Sequence, residues 1–461
     1  MNRLQQKLAG ISQVRRLLVI TYHFPPDGAI GGQRWAGLSK YLARLGWEVH
    51  IVTASDAGHE DPTPNVHRHF RRRRRTLNDL YRALAGRLRQ SSEGHYSLIR
   101  EKSSLPRSTG WLKPLAAVRK FAGSAMSFPD DGRGWVATAA VEARALLRQQ
   151  KFDVVVSSGP PHSAHFAGMA ATLGRDVQFW MDMRDPWSVT PQFGAHDNDL
   201  ARAERFILRQ LERLVFPRAV RVIVNTSQFE RALGVSEPDL RVTCLPNGVD
   251  LEHVPARNAA DVERGSIAYV GTLYFGRNLT SVCAAMRRIL NDNPQAGATL
   301  RLNVAGPMDD PHRQKFQEEI EAAGLTSVVN ILGSLPRAQA LQLLRRSHLA
   351  LVLAQGQPMQ VPAKLYESVG LGVPTLVIAE DTSAAACEAR RIGAMTVDNA
   401  NVDALQSVFE ELLTGGIPTA IQPTTPITYA HLAKQLDGLL RESLNAESRI
   451  RTPTAAAVQS V

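Results

Sequence analysis

The sequence predicts an α/β protein made of two doubly wound domains, and three observations support this fold class. Apolar segments of strand length alternate with amphipathic helical segments along nearly the whole chain. The apolar segments are almost continuous, which is typical of parallel strands that helices cover on both faces. The chain has 461 residues, too many for a single core, and the alternation restarts after residues 246–250.

The first domain is expected at residues 16–245, after an N-terminal extension of residues 1–15. The apolar run 16–21 predicts its first strand, and a loop with two prolines and the glycines Gly31 and Gly32 follows. The next segment has apolar residues at helical spacing and ends at Gly46, a residue type that commonly closes a helix. Further strands are predicted at 47–53, 152–158, 177–182 and 220–226.

The second domain is expected at residues 246–426. Its predicted strands lie at 266–273, 300–305, 328–332, 349–354 and 374–378, and its clearest helices lie at 279–291, 313–323 and 337–346. An apolar helix within 427–444 is expected to pack back across the joint between the domains, and residues 445–461 are predicted to be a disordered tail. Ligands of such open sheets bind outside the carboxyl ends of the strands.

Composition points to a cytoplasmic globular protein. The hydrophobic share of 44% and the charged share of 21% are ordinary for this class. No apolar run reaches the roughly 18 residues of a membrane-spanning helix, and the first residues lack the apolar region of a signal peptide. The three cysteines are scattered, and histidine and cysteine show no zinc-ligand spacing. We therefore expect no metal or other cofactor.

The positive charge of the chain is concentrated in one segment. Residues 68–120 hold 15 lysines and arginines against 3 acidic residues, a net +12, so the rest of the chain carries about −1 of the total +11. The segment begins with a run of five arginines, Arg71, Arg72, Arg73, Arg74 and Arg75, and continues with interspersed leucine, tyrosine and tryptophan.

Such a basic amphipathic insertion favours contact with an anionic membrane surface, here the inner face of the plasma membrane. A solvated or disordered loop is the alternative interpretation. Nucleic-acid binding is open to any basic patch, but the sequence contains no recognised nucleic-acid motif and the remaining chain is nearly neutral. We therefore expect no nucleic-acid partner.

The segment 356–378 carries the clearest functional pattern. A polar loop leads into Pro362, a residue suited to the first position of a helix, and a short helix with Lys364 and Glu367 follows. A helix start offers free N–H groups and a positive dipole end to an anion. Lys364 adds a charge for a diphosphate, and Glu367 adds an acceptor for a ribose diol. The pattern favours a nucleotide-sugar site, with an ordinary loop–helix–strand unit as the alternative.

Six short motifs, taken in order, resemble the retaining GT-B glycosyltransferases of glycosyltransferase family 4 (glycosyl transferases group 1). The resemblance covers residues 16–445 apart from the basic insertion, and the order of the motifs makes it specific. The motifs are Phe24-Pro-Pro with Gly31-Gly32, Ser157-Ser-Gly-Pro-Pro-His162, Asp182-Met-Arg-Asp-Pro-Trp187, Pro246-Asn-Gly-Val-Asp250, Tyr269-Val-Gly-Thr-Leu273 and Pro362-Ala-Lys-Leu-Tyr-Glu367.

The resemblance implies two Rossmann-like domains that face a central cleft, with the nucleotide-sugar donor held by the C-terminal domain and the acceptor by the N-terminal domain. Glu367 matches the second glutamate of the family's E-x7-E motif, which binds the ribose. Arg277 lies where the family has a basic residue near the diphosphate, and His162 lies near a histidine that contacts the donor sugar. The implied donor-binding residues are Gly31, Gly32, Gly271, Arg277, Gly333, Lys364, Leu365 and Glu367.

Arg184 and Asp185 end a predicted strand at the expected edge of the cleft. Together with His162 they form the candidate catalytic set, although a salt bridge within the domain would explain the pair equally well. The family implies retention, and no placed carboxylate pair signals double displacement. Attack on the front face of the sugar, assisted by the leaving phosphate, is therefore favoured. GT-B enzymes generally need no metal, so none is expected at this site.

Two positions depart from the family pattern. Met359 stands where the first glutamate of E-x7-E is expected, and Thr272 replaces an arginine that usually follows the glycine of the first strand of the second domain. These departures leave room for a catalytically silent GT-B scaffold or partner subunit, or for a nucleotide-sugar epimerase on the same fold. The main hypothesis is transfer to a lipid-linked or cell-surface glycan, as in polysaccharide biosynthesis.

Overall fold

The computed structural model confirms the predicted α/β fold with two parallel sheets. It describes residues 14–27, 30–56, 63–76, 79, 130, 132–188, 199–254, 256–273, 276–308 and 310–451. Most of the predicted basic insertion, the N-terminal extension up to residue 13 and the last ten residues of the predicted tail lie outside these ranges. Among the described residues, no helix combines the length and the apolar character needed to cross a membrane.

The first sheet has seven strands in the order β3-β2-β1-β4-β5-β6-β7. The strands are β1 Arg15–Thr21, β2 Trp47–Thr53, β3 Val66–Phe70, β4 Val154–Gly159, β5 Gln178–Met183, β6 Arg221–Val224 and β7 Val242–Cys244. The helices along this part of the chain are α1 Ile30–Arg44, α2 Arg133–Gln149, α3 Ser163–Thr172, α4 Asp199–Val215 and α5 Ser227–Ser236.

The second sheet has six strands in the order β10-β9-β8-β11-β12-β13. The strands are β8 Glu263–Val270, β9 Arg301–Ala305, β10 Val329–Gly333, β11 Ser347–Leu353, β12 Thr375–Ile378 and β13 Met395–Val397. The helices are α6 Thr280–Asp292, α7 Asp310–Ala322, α8 Arg337–Arg346, α9 Ala363–Gly370, α10 Ala384–Ile392, α11 Val402–Thr414 and α12 Tyr429–Arg451.

Both sheets reverse their strand order at one place, and these places position the candidate sites. In the first sheet the order reverses between β1 and β4, and in the second between β8 and β11. A crevice forms at such a switch point because the connections leave on opposite sides of the sheet. Loops that follow β1 and β4, and loops that follow β8 and β11, are therefore the expected ligand-binding segments.

The continuous apolar strands bury both faces, as predicted. In β8, Ile267 and Tyr269 join one apolar cluster, while Ala268 and Val270 join another. Alternate residues of a strand point to opposite faces, so helices cover both sides of this sheet. Since neither face meets water, the strand can dispense with the polar alternation of an exposed sheet.

The described chain divides into two compact units. The first takes in the described residues of Met1–Trp35, Gly46–Arg184 and Leu211–Val220. The second takes in Ala36–Leu45, Asp185–Gln210 and Arg221–Val461. Four tryptophans, Trp35, Trp47, Trp135 and Trp180, are fully buried in the first unit.

Several predicted element boundaries are wrong. Helix α1 begins at Ile30, so Gly31 and Gly32 lie in its first turn and not in a loop. The close approach of Gly32 to the backbone of Phe24, where a Cβ would lie 2.9 Å from the Cα atom, explains why glycine occurs inside this helix. Helix α12 continues to Arg451, past the predicted end at 444, so residues 445–451 are helical.

The third difference concerns the start of the basic insertion. Residues Arg68 to Phe70, assigned above to the insertion, belong to the edge strand β3, which pairs in parallel with β2. The run Val-His-Arg-His-Phe lacks the continuous apolar character of an interior strand, which is why the pattern missed it. A polar edge strand is a common way to discourage pairing with another chain.

Candidate functional site

The candidate donor site of the second unit starts with three strand ends that backbone contacts tie together. The Gly271 N–H, just after β8, donates to the Ala305 carbonyl at 2.8 Å, and the Gly306 N–H donates to the Gly333 carbonyl at 2.7 Å. Gly306 has φ of 142°, and a Cβ there would lie 1.9 Å from the Gly271 oxygen. Only glycine fits this approach, so Gly306 sets the position of the two predicted donor-binding glycines.

Two buried glutamine side chains hold the loop that carries Arg277. Gln355 accepts from the Asn278 N–H at 3.0 Å and donates to the Asn278 carbonyl at 3.0 Å. The Arg277 guanidinium donates to Gln357 Oε1 at 3.0 Å. The structure therefore brings Arg277 to the polar loop before α9. No pattern in the sequence pointed to Gln355.

Helix α9 begins one residue later than predicted. Pro362 is the N-cap residue, with extended backbone angles, and Ala363 is the first helical residue. The Leu365 N–H donates to the Pro362 carbonyl at 3.0 Å. The Leu365 side chain is fully buried in the apolar cluster with Val361 and Val369. The Leu365 side chain therefore supports the core, and contact of Leu365 with the donor stays a prediction.

Glu367 is held by two cations. Its carboxylate lies 2.7 Å from the Arg337 guanidinium and 3.8 Å from the Lys364 ammonium, and 14% of its side chain is exposed. Arg337 opens α8 just after the Gly333 loop, so the structure brings these predicted residues together with one that the sequence analysis missed. A carboxylate has about four acceptor positions, so these ion pairs leave positions for ligand hydroxyl groups.

The segment before α9 also carries the departure from the family motif. The Met359 carbonyl accepts from the Thr226 hydroxyl at 2.9 Å, and the Gln360 amide donates to Asp185 at 3.0 Å. All four residues belong to the second unit. Asp185, a candidate catalytic residue, is therefore fixed by an amide from this segment.

In the first unit, Arg184 lies over Gly31. Its Nε donates to the Gly159 carbonyl at 3.1 Å, and its Nη2 donates to the Pro160 carbonyl. A Cβ on Gly31 would lie 2.2 Å from Arg184 Nη1, so the glycine leaves room for the guanidinium. The structure thus joins two predicted site residues at the carboxyl ends of β1 and β4.

Two buried histidines lie beside this arginine. His162 precedes α3, its side chain makes no capping hydrogen bond, and its ring centroid lies 5.8 Å from that of His165. His165 Nδ1 lies 2.8 Å from the Ser157 hydroxyl. Burial, with a smaller effect of Arg184, lowers the pKa of His165 to about 3. Burial, followed by His165 and Arg184, lowers the pKa of His162 well below its ordinary value.

Both imidazoles are therefore neutral near pH 7. A neutral His162 can donate or accept a hydrogen bond, but it cannot act as a proton-donating imidazolium.

A buried carboxylate, Asp182, supports the same region. It forms an ion pair with Arg34 at 3.1 Å and accepts hydrogen bonds from Trp35 Nε1 and the Ser158 hydroxyl, each at 2.8 Å. Three elements, α1, β4 and β5, thus meet at one acceptor. Asp182 belongs to one of the six motifs, but its type and position predicted no role.

The arginine run is attached to α2. The Arg71 carbonyl accepts from Trp135 Nε1 at 2.8 Å, and the Arg71 guanidinium pairs with Glu142. Arg73 pairs with Asp79 at 2.9 Å. The five arginines and Thr138 line a groove of about 550 Å³. Residues 71–76 form a mostly exposed segment without regular secondary structure, so the solvated-loop alternative stays open and contact with a membrane stays a prediction.

Two family models match the chain. A model described as "Glycosyl transferase 4-like domain" matches residues 31–248, and one described as "Glycosyl transferases group 1" matches residues 252–424. A search of curated proteins finds no matching relative.

Several solved structures share the fold at low sequence identity. The Anabaena protein HepE, in complex with UDP and glucose, is 12% identical with a TM-score of 0.59, covering 93% of this chain and 100% of that one. The trehalose 6-phosphate synthase of Burkholderia multivorans is 14% identical with a TM-score of 0.58, covering 96% and 99%. The chain is therefore a glycosyltransferase of the GT-B fold, formed by a glycosyl transferase 4-like domain and a glycosyl transferases group 1 domain.

Proposed function

We propose that the protein transfers a sugar, with retention, from a nucleoside diphosphate sugar to a glycan linked to a membrane lipid. One observation carries the donor part of this proposal. Lys364 and Glu367 of α9 form one charged cluster with Arg337, the first residue of α8, and Arg277 is tied to the loop before α9. The cluster lies at the carboxyl ends of the strands, beside a switch point.

The charges of this cluster suit the two ends of such a donor. Lys364 and Arg277, together with the first-turn N–H groups of α9, would bind the diphosphate. The remaining acceptor positions of Glu367 would take the ribose hydroxyl groups. HepE, which shares the fold, has been solved with UDP and with UDP-glucose, so uridine is the base to test first.

The same residues support the bond-breaking step. As the bond between the anomeric carbon and the diphosphate oxygen breaks, negative charge grows on the diphosphate and positive charge on the sugar. Lys364 and Arg277 would stabilise the leaving group, and these cations lessen the need for a divalent metal. The acceptor hydroxyl attacks from the face that the diphosphate leaves, and its proton passes to a diphosphate oxygen. A neutral His162 would contribute a hydrogen bond to the sugar.

The donor assignment is tested by ligand binding to the full chain. We expect one nucleoside diphosphate sugar among the UDP, GDP, ADP and dTDP series to raise the thermal unfolding midpoint, since a ligand at 100 times its Kd stabilises by about 2.7 kcal/mol. Lys364→Met should weaken this ligand by about 10- to 100-fold, because a charge-assisted contact contributes about 1.5–3 kcal/mol.

Lys315→Met is the control, since 74% of the Lys315 side chain is exposed on α7. Equal affinity in wild type and Lys364→Met, with the control behaving as wild type, would contradict the donor site.

We expect the rate of sugar transfer to be the same with and without added Mg²⁺ or Mn²⁺.

The membrane part of the proposal rests on the groove lined by the arginine run. Arg72, Arg74 and Arg75 are exposed. Each basic residue near an anionic surface contributes about 1 kcal/mol, so replacing the three by alanine should weaken binding to phosphatidylserine vesicles by up to about 100-fold. The matched control replaces three exposed arginines elsewhere, Arg218, Arg264 and Arg287. If both triple variants bind vesicles as wild type does, a membrane-linked acceptor loses its support.

A further inference from the structure

Strands β2 and β3 bring together imidazoles and a carboxylate that lie far apart in the sequence. The two strands pair in parallel, with His50 opposite His67. Since alternate residues share a face, Glu48 and His50 lie on one face of β2 beside His67 and His69 of β3. All four belong to the first unit. No sequence motif joins these residues, because their ligand atoms meet only through the sheet register.

Three of these side chains have the proximity of metal ligands. Glu48 Oε1 lies 3.1 Å from His50 Nε2 and 3.7 Å from His67 Nε2. The ligand atoms of the three residues all lie within 4.8 Å of one another. Ligands at the zinc bond lengths of about 2.0–2.1 Å are separated by about 3.3–3.4 Å in a tetrahedron. The two measured distances bracket this value, and His67, with 49% of its side chain exposed, is free to rotate inward.

The hydrogen bonds among these side chains explain why a cation would fit between Glu48 and His50. His50 Nδ1 lies 2.9 Å from His69 Nε2, while His50 Nε2 lies 3.1 Å from Glu48 Oε1. If the single proton of neutral His50 is on Nδ1, Nε2 directs a lone pair at the carboxylate. If it is on Nε2, His69 must donate to Nδ1 and then directs its own lone pair at Glu142, 3.6 Å away. In each neutral tautomer one imidazole nitrogen therefore presents a lone pair to a carboxylate oxygen, and in the first tautomer the Gln150 amide, 3.1 Å from His50 Nε2, can also donate to that nitrogen.

A metal ion between His50 Nε2 and Glu48 Oε1 would replace this contact of a lone pair with a carboxylate by two favourable bonds. His50 Nδ1–H then donates to His69, and His69 Nδ1–H points to Glu142, which pairs with Arg71. The second oxygen of Glu48 accepts from Arg16 Nε at 2.8 Å. Such outer partners fix the tautomer and orientation of metal ligands. The Gln150 amide, 3.1 Å from His50 Nε2, would turn its oxygen toward the site.

We propose that Glu48, His50 and His67 bind a zinc ion that fastens the edge strand β3 to β2. Two imidazoles and a carboxylate are a common zinc ligand set, and the exposed side of His67 leaves a fourth position to water. His69 acts as a positioning residue through its contact with His50. The ion would have a structural role. It would hold β3 in place, and the arginine run begins at Arg71, directly after β3.

The test is zinc binding by the full chain after treatment with a chelator and its removal. Titration with Zn²⁺ against a chromophoric competitor should show one high-affinity site per chain, and saturation should raise the thermal unfolding midpoint by mass action. His67→Ala should weaken the site at least 100-fold and abolish the shift of the midpoint. His69→Ala should weaken it by about 10- to 100-fold, as loss of an outer partner does.

His253→Ala, at an exposed position outside the cluster, is the control and should bind zinc as wild type does. Because His67 is half-exposed, its replacement should leave the fold intact, which circular dichroism checks. No high-affinity site in the wild type would overturn the proposal. Unchanged affinity in His67→Ala would overturn it as well, because the zinc would then bind elsewhere.

Discussion

The two switch points of this protein use polar residues in opposite ways. In the first unit, Asp182, Arg34 and His165 are almost completely buried, and each has a polar partner within the same unit. In the second unit, Lys364 is 33% exposed and Arg337 is 63% exposed. Burial of the first set makes it part of the fold. Partial exposure of the second set leaves its charges available to a ligand, so substitutions at the two places should have different consequences.

The largest expected effect is on stability and comes from the first unit. Asp182→Ala leaves the Arg34 guanidinium buried without its counter-charge, which should lower the free energy of unfolding by about 3–5 kcal/mol. Denaturant titration measures this change. Asp381→Ala is the matched control, because Asp381 pairs with Arg390 at 2.6 Å but is 79% exposed. The control should lose less than about 1 kcal/mol. Equal losses in both variants would remove the distinction between the two regions.

An intermediate effect is expected from the backbone of the second site. Gly306→Ala would place a Cβ against the Gly271 oxygen, so strain should cost about 1–3 kcal/mol, and the displaced loop should bind the nucleotide sugar more weakly. Gly324→Ala is the control, because it also has positive φ but has open space around its Cβ position.

The control should lose some stability and keep full ligand affinity. A Gly306→Ala variant that binds the donor as tightly as wild type does would show that this close approach does not position the site.

The smallest effect, per unit of pH, concerns the neutral histidines. The pKa of His165 is lowered to about 3 in the folded state, so only the unfolded chain takes up this proton between the ordinary pKa near 6.5 and 3. Stability from His165 is therefore complete above pH 6.5 and falls by about 1.4 kcal/mol per unit as the pH decreases through that window.

His165→Asn should make the unfolding free energy less dependent on pH. The slope in this window should decrease by about 1.4 kcal/mol per pH unit, the equivalent of one bound proton. Identical slopes in wild type and variant would show that the buried imidazole does not take up a proton on unfolding.

The fold was largely predictable because its signal is local. The continuous apolar strands around Val19, Val155 and Leu351 identified the two sheets, and the strand–helix alternation identified their parallel topology. The signal failed at β3, because its histidines and arginine break the apolar pattern although the segment pairs with β2 as a strand. It failed also at the start of α1, where packing against Phe24 places two glycines inside a helix.

The candidate site was predictable only where its residues are neighbours in sequence. Lys364 and Glu367 stand three residues apart on one helix, so a pattern could reveal them. Arg337 reaches Glu367 from another helix, and Gln355 reaches Asn278 from another strand end. Neither contact can be recognised from the spacing of residues in the sequence. Leu365 was predicted to contact the donor because of its place in a motif. Its side chain lies in the apolar core, on the buried side of its helix.

The Thr226–Met359 contact has a consequence for how this enzyme can be altered. The Thr226 hydroxyl donates to the Met359 carbonyl oxygen, and the Met359 thioether takes no part in this hydrogen bond. This hydrogen bond does not depend on the side chain at residue 359. The side chain can therefore be replaced while the segment before α9 keeps its backbone conformation. Met359→Glu would therefore place a carboxylate at this position while the Thr226 hydrogen bond keeps the segment in place.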